Sequence, residues 1–113
     1  MSDGIRVASL DDLRPGEGIA IPSDVTGTDD DIAILRDLDG TCWALNDTCT
    51  HATASLSEGW VEEGCVECPV HASRFELRTG RVLGPPATVD TVAHRIEVRD
   101  GEIYLFPGES PTD

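Results

Sequence analysis

The sequence predicts an all-β fold, a small antiparallel β-sandwich or barrel, and three observations lead there. Short apolar or alternating runs recur about every eight to twelve residues, with Gly, Pro and acidic turn signals between them. Asp100-Gly101 separates two such runs, a dipeptide suited to a two-residue hairpin loop. Only Leu10 to Leu13 carries a helical cue, one turn with Ser9 at its cap and Pro15 as its stop.

In chain order, Glu17 to Ile21 partly alternates, and Ile32 to Arg36 is a short β-rich run. The turn Asp37-Leu38-Asp39-Gly40 leads into Thr41 to Asn46, so these two runs read as a hairpin. Cys65 to Cys68, Arg74 to Leu77, Val92 to Arg99 and Glu102 to Phe106 complete the expected strands. Pro22 to Asp31 and Gly84 to Ala87 read as loops, and residues 108–113 as a frayed tail. Residues 1–113 are expected to form one domain, since a chain of this length supports a single core.

Eight Arg, no Lys and 22 Asp plus Glu give a formal charge of −14. Such a polyanion is repelled by phosphate backbones and anionic lipid, which disfavours nucleic-acid and membrane-surface partners. The residues from Met1 to Arg6 show no basic or twin-arginine export signal. No apolar run approaches the ~20 residues of a membrane span. A cytoplasmic protein is the expectation, and there four Cys speak for metal or redox use rather than a disulfide framework.

Two clusters concentrate the chemistry: Cys49-Thr50-His51 and Cys68-Pro69-Val70-His71, with sixteen residues between His51 and Cys68. A set of two thiolates and two imidazoles holds either zinc or an iron–sulfur cluster. Zinc fingers keep the two Cys together and the two His together, whereas each pair here is mixed. The mixed arrangement allows both Cys to grip one iron and both His the other, as in a [2Fe-2S] cluster clasped between two loops.

With C-x-H, this spacer and C-x-x-H, the chain resembles a Rieske protein. Within that family it is similar to the small ferredoxins of aromatic-ring-hydroxylating dioxygenase systems, over residues 47–59 and over Val66-Glu67-Cys68-Pro69-Val70-His71. The resemblance implies a Rieske fold with two cluster-binding loops and a proline loop. It also implies one [2Fe-2S] cluster per chain, ligated by Cys49, His51, Cys68 and His71. Around the cluster it places Ser73 as a hydrogen-bond donor and Pro85 and Pro86 in the covering loop. At position 75, where high-potential relatives carry a Tyr donor, Phe75 has nothing to donate. The extra loop cysteines of those relatives are replaced by Ala54 and Val70, and the Gly after each ligand His by Ala52 and Ala72.

Two ferric irons, two sulfides and two thiolates sum to zero charge. Neutral imidazoles therefore raise the potential above that of an all-Cys cluster, into the Rieske range of roughly −150 to +300 mV. The missing Tyr and disulfide, with the acidic surroundings, point to the low end of it. The implied function is transfer of single electrons from a flavin-containing NAD(P)H reductase to a terminal oxygenase, by transient contacts of a monomer. No nucleophile–base pair or phosphate-cradling loop points to catalysis by the chain itself. The alternatives are the Rieske-like small subunit of an assimilatory nitrite reductase and a zinc-stabilised interaction domain.

The remaining candidates read as structural. Cys65 and Cys68 form C-x-x-C, but residues three apart on a strand face opposite ways, so Cys65, like Cys42, is expected in the core. His94 is expected at the surface. Trp43 and Trp60 are expected to pack, Trp60 sheltering the cluster side, and Asp29-Asp30-Asp31 to be a solvated loop.

Overall fold

The computed structural model describes residues 4–50, 54–70, 73–84 and 87–111. The strands are β1 (Ile5–Ser9), β2 (Gly18–Ile21), β3 (Ile32–Arg36), β4 (Cys42–Asn46), β5 (Trp60–Glu62), β6 (Cys65–Glu67), β7 (Arg74–Glu76), β8 (Ala93–Arg99) and β9 (Glu102–Phe106). Six of them form one antiparallel sheet in the order β1-β9-β8-β4-β3-β2, which nearly closes into a barrel. The other three form a small antiparallel sheet, β5-β6-β7. The predicted all-β class is the observed one.

Two cores explain why β3 reads as an unbroken apolar run. Ile32, Ala33, Ile34 and Leu35 are all fully buried, because both faces of the strand are covered. Ile32 and Ile34 join Ile21, Ala44, Ile103 and Leu105 inside the larger sheet. Ala33 and Leu35 pack on the opposite side with Leu45, Leu56, Val61, Val66, Phe75 and Leu77. This second core glues the small sheet to the large one, and it also contains Cys49 and Cys68. Burying each large aliphatic or aromatic side chain contributes about 1.5–3 kcal/mol.

Turns fix the register. Asp100 and Gly101 both have positive φ, 50° and 78°, so the β8–β9 hairpin closes as its dipeptide predicts. Glu63 and Gly64, at 50° and 79°, turn the β5–β6 hairpin the same way, a signal hidden in the acidic run Glu62-Glu63. The buried carboxylate of Asp37 accepts the N–H groups of Leu38 and Gly64, each at 2.8 Å, tying the β3–β4 turn to the small sheet. After β7 the chain turns back: Val82 bridges Phe75, and Leu83 N–H donates to Arg74 O at 2.8 Å.

Several expectations are corrected. Strands β1 and β5 are additional to those predicted, and a four-residue helix, Ser23–Thr26, interrupts the predicted loop at 22–31. The turn at Leu10–Asp12 is a 3-10 helix, and there Asp12 accepts the Ser9 N–H at 3.0 Å while the Ser9 hydroxyl reaches Gly101 O. Trp60 is 60% exposed rather than sheltering anything, since it sits on the outer face of β5. Within the tail, Glu109 O accepts the Arg95 N–H at 2.7 Å and Gly108 N–H is bonded as well, so these residues are held against β8.

His94 is buried, at 4% exposure, not a surface residue. Its Nδ1 accepts the Gly108 N–H at 3.0 Å, so Nε2 carries the proton and donates to Asn46 Oδ1 at 2.7 Å. Burial lowers its pKa below the usual 6.5, against a smaller upward pull from Asp30. An unfolded chain therefore takes up a proton near pH 6.5 that the folded chain refuses, and stability falls as pH drops below that value. The expected contribution is at most about 1.4 kcal/mol per pH unit, one proton's worth. Chemical denaturation of wild type and His94→Gln between pH 7 and 5.5 checks this; equal pH slopes would refute it.

Candidate metal centre

Both predicted cysteines stand where a strand runs out into a loop, Cys49 beyond β4 and Cys68 directly after β6. The two loops are closed at their bases in the same way. Cys49 N–H donates to Ala54 O at 2.9 Å, and Cys68 N–H donates to Ser73 O at 2.7 Å. A bridge between Thr48 and Ser55 completes the first base. Below it, Asp47 is buried, its carbonyl accepting the Leu56 N–H at 2.7 Å and its carboxylate the Ser57 N–H at 2.9 Å.

The fold brings the two thiols together. Cys49 and Cys68 are both buried in one core cluster and lie close enough for each thiol to act on the other's charge, although 19 positions separate them. Burial pushes the Cys68 thiol up to about 11; a Val70 backbone hydrogen bond lowers it, and the adjacent Cys49 raises it again. Two thiolates side by side in an apolar wall need a cationic centre to offset their charge. This donor pair therefore fits a metal ion or an iron–sulfur group. Among the described residues no third Cys, His, Asp or Glu joins them. The sequence expectations for His51, His71, Pro85 and Pro86 lie outside the described residues.

A third segment packs over the two loops. Thr50, next to Cys49, donates its hydroxyl to Val89 O at 2.6 Å. Ser73 is fully buried, and its Oγ accepts the Ala87 N–H at 3.0 Å. Among the described residues its own hydroxyl hydrogen has no acceptor, so it remains available to a group held beside Cys68. Phe75 is fully buried in the core under the loops, where it supplies packing and no hydrogen bond.

The other two cysteines do not enter the centre. Cys42 is buried in the core of the large sheet, and burial raises its pKa. Cys65 is half-buried, on the outer face of the small sheet opposite Glu62 and Glu76, rather than in the core as expected. Its pKa is also raised, by burial first, with Arg74 pulling it down and nearby carboxylates pushing it up. Both are free thiols of low thiolate character, which does not suit C-x-x-C redox chemistry.

Sequence reasoning missed the braces of the first loop. Asp30 accepts both the Thr48 hydroxyl at 2.7 Å and the Thr48 N–H at 3.1 Å. Asp31 O accepts the Asp47 N–H at 2.8 Å, while its carboxylate caps the Ser23 N–H at 2.8 Å. Only Asp29 of the triplet is the exposed residue expected of a solvated loop. A polar side chain preceding a cysteine loop, here Thr48, was the one hint that an acceptor from elsewhere was required.

A barrel-like sheet and a small sheet that present two buried thiols define a β-protein with a metal–thiolate centre, and the comparisons say of which kind. Residues 4–106 match the Rieske [2Fe-2S] domain, so the chain belongs to the Rieske family, which carries one [2Fe-2S] cluster per chain. It is 44% identical over 80 residues to the 3-phenylpropionate/cinnamic acid dioxygenase ferredoxin subunit of Photorhabdus laumondii, covering 70% of this chain and 75% of that one. The ferredoxin of carbazole 1,9a-dioxygenase from Nocardioides aromaticivorans superposes with a TM-score of 0.80 at 34% identity, covering 98% of this chain and 100% of the other. A ferredoxin seen in complex with the oxygenase of carbazole 1,9a-dioxygenase gives a TM-score of 0.79 at 34% identity, covering 90% and 100%. A nitrite reductase small subunit from Mycobacterium tuberculosis shares the fold, with a TM-score of 0.77, at only 23% identity over 93% of this chain and 95% of that one.

Proposed function

We propose that the protein is the electron-carrying ferredoxin of an aromatic-ring-hydroxylating dioxygenase system. The carrying observation is near full-length similarity, at 34% identity, to a dioxygenase ferredoxin, on a chain whose two cluster-side cysteines converge. Cys49, His51, Cys68 and His71 would hold the cluster, with all of residues 1–113 forming one domain around it. When bound, the [2Fe-2S] group supplies reversible one-electron chemistry. The chain's own residues do the rest. Cys49 and Cys68 provide the anionic ligand charge, Ser73 offers a hydrogen bond that favours the more negative state, and the apolar wall of Leu56, Val66 and Phe75 excludes water behind them.

Electrons would come from a flavin-containing NAD(P)H reductase and leave to the terminal oxygenase, with the carrier acting as a cytoplasmic monomer. The nitrite reductase small subunit reading rests on the fold alone. Among the described residues no helix is long and apolar enough to cross a membrane. The decisive test is reconstitution. Purified protein should contain two irons per chain, show a Rieske-type EPR signal when reduced, and pass electrons to a ring-hydroxylating oxygenase. Zinc in place of iron, or no electron transfer to any such oxygenase, would overturn the proposal.

The charge of −14 predicts how encounters depend on salt. Arg6, Arg74, Arg95 and Arg99 are engaged by the chain's own Glu residues, so surplus carboxylates dominate the surface. Complementary charge mainly speeds encounter, and a Debye length of about 8–10 Å at moderate salt shortens its reach. The second-order rate of electron transfer should fall severalfold between 20 mM and 500 mM salt, as stopped-flow reduction of the carrier would show; a flat profile refutes it.

A further inference from the structure

The acidic triplet at 29–31 stands in front of the first ligand loop, and its middle member is placed to act on that loop. Asp30 is half-buried, and both of its carboxylate oxygens are committed to Thr48, the residue immediately before Cys49. Oδ1 takes the hydroxyl at 2.7 Å and Oδ2 the backbone N–H at 3.1 Å. The backbone of Asp30 is held from behind. Its own carbonyl accepts the Thr28 hydroxyl at 2.7 Å, and Thr28 Oγ1 lies 2.7 Å from Thr26 Oγ1, whose side chain is buried. Next along, Asp31 O takes the Asp47 N–H at 2.8 Å. Thus a loop 18 positions away in sequence grips two consecutive residues, Asp47 and Thr48, at the root of Cys49.

We infer that Asp30 is a positioning residue for the cluster: it locks the backbone that aims Cys49 and sets a negative charge against Thr48, the residue immediately before that cysteine. The inference rests on Cys49 being a ligand. The two roles are separable. A bidentate, charge-assisted contact restrains Thr48, and with it the direction in which Cys49 leaves β4. A fixed charge close to a redox centre disfavours the more negative, reduced state, and the partly buried setting limits its screening by salt. Asp30 therefore lowers the midpoint potential and slows loss of the cluster.

Three variants resolve the roles. Asp30→Asn keeps size and one acceptor oxygen but removes the charge. Asp30→Ala removes everything. Thr48→Val keeps the charge and loses only the hydroxyl bond. Protein-film voltammetry should show a raised midpoint for Asp30→Asn and Asp30→Ala, and an unchanged one for Thr48→Val. EPR of the reduced protein should show altered g-values for Asp30→Ala and Thr48→Val, with Asp30→Asn close to wild type. Cluster release to a chelator should be roughly tenfold faster in Asp30→Ala, the factor expected for losing one strong hydrogen-bonded contact. Wild-type potential, g-values and release rate in Asp30→Ala would overturn the inference. An error in the ligand reading would appear elsewhere: Cys49→Ala would retain its full iron content whatever happens at position 30.

Discussion

Cys49→Ala and Cys68→Ala should each abolish the cluster: purified variants lose the visible absorbance and nearly all iron, while the far-ultraviolet circular dichroism stays that of a β-protein. The two thiols are the only Cys pair that converges among the described residues, and each lies at the closed base of its loop. Removing one leaves the other without a partner ligand but does not open the backbone bonds that form the loops. Both side chains are small, so the packing loss is about 1–2 kcal/mol, below the usual stability of a domain. Cys42→Ala and Cys65→Ser serve as controls that should keep full iron, because neither thiol faces the centre. Iron and sulfide assay with absorption spectroscopy decides the matter. Either alanine variant retaining a wild-type spectrum would remove that cysteine from the ligand set.

Gly59→Ala should be among the most destabilising single substitutions in the chain. A Cβ at position 59 would lie 2.1 Å from the carbonyl oxygen of Glu67, a backbone atom that cannot rotate away. Glu67 pairs with Trp60 across the β5–β6 ladder and immediately precedes Cys68. Relief of the clash must therefore either part the two strands or displace the residue before Cys68. A loss of about 3–5 kcal/mol is expected, the upper range for one substitution, or a fall in Tm of more than about 10 °C. Iron content should fall with it. Gly84→Ala is the matched control, since a Cβ there meets nothing within 4 Å. Calorimetry of the two variants tests the claim, and similar Tm values would refute it.

Legibility in the sequence followed how local each determinant is. The β3–β4 and β8–β9 hairpins were readable because Asp39-Gly40 and Asp100-Gly101 carry turn chemistry within the segments they join. Strand β5 was not, because only Val61 of its three residues points into the core and Trp60 faces solvent. His94 was misread because burial of a polar ring depends on partners far away in sequence, Asn46 and Gly108. The spacing of Cys49 and Cys68 could be read directly, whereas Asp30 could not: its role comes from a loop-to-loop contact that no periodicity encodes. Trp60 was expected to be covered on its hydrophobicity alone, yet the phase of a three-residue strand puts it outside.

The paired loop bases, Cys49 to Ala54 and Cys68 to Ser73, carry a kinetic meaning beyond placing the two thiols. An electron arrives and departs without any atom being exchanged, so its speed is governed by how far nuclei must shift to suit the new charge. Here the Cys49 and Cys68 amides and the Ser73 oxygen are already held by backbone bonds before the charge changes, so these groups have little to reorient. A loop that had to rearrange at each turnover would add a barrier to every transfer. The closed bases hold the Cys49 and Cys68 backbone in place in both directions of electron flow, which favours a small nuclear reorganisation barrier.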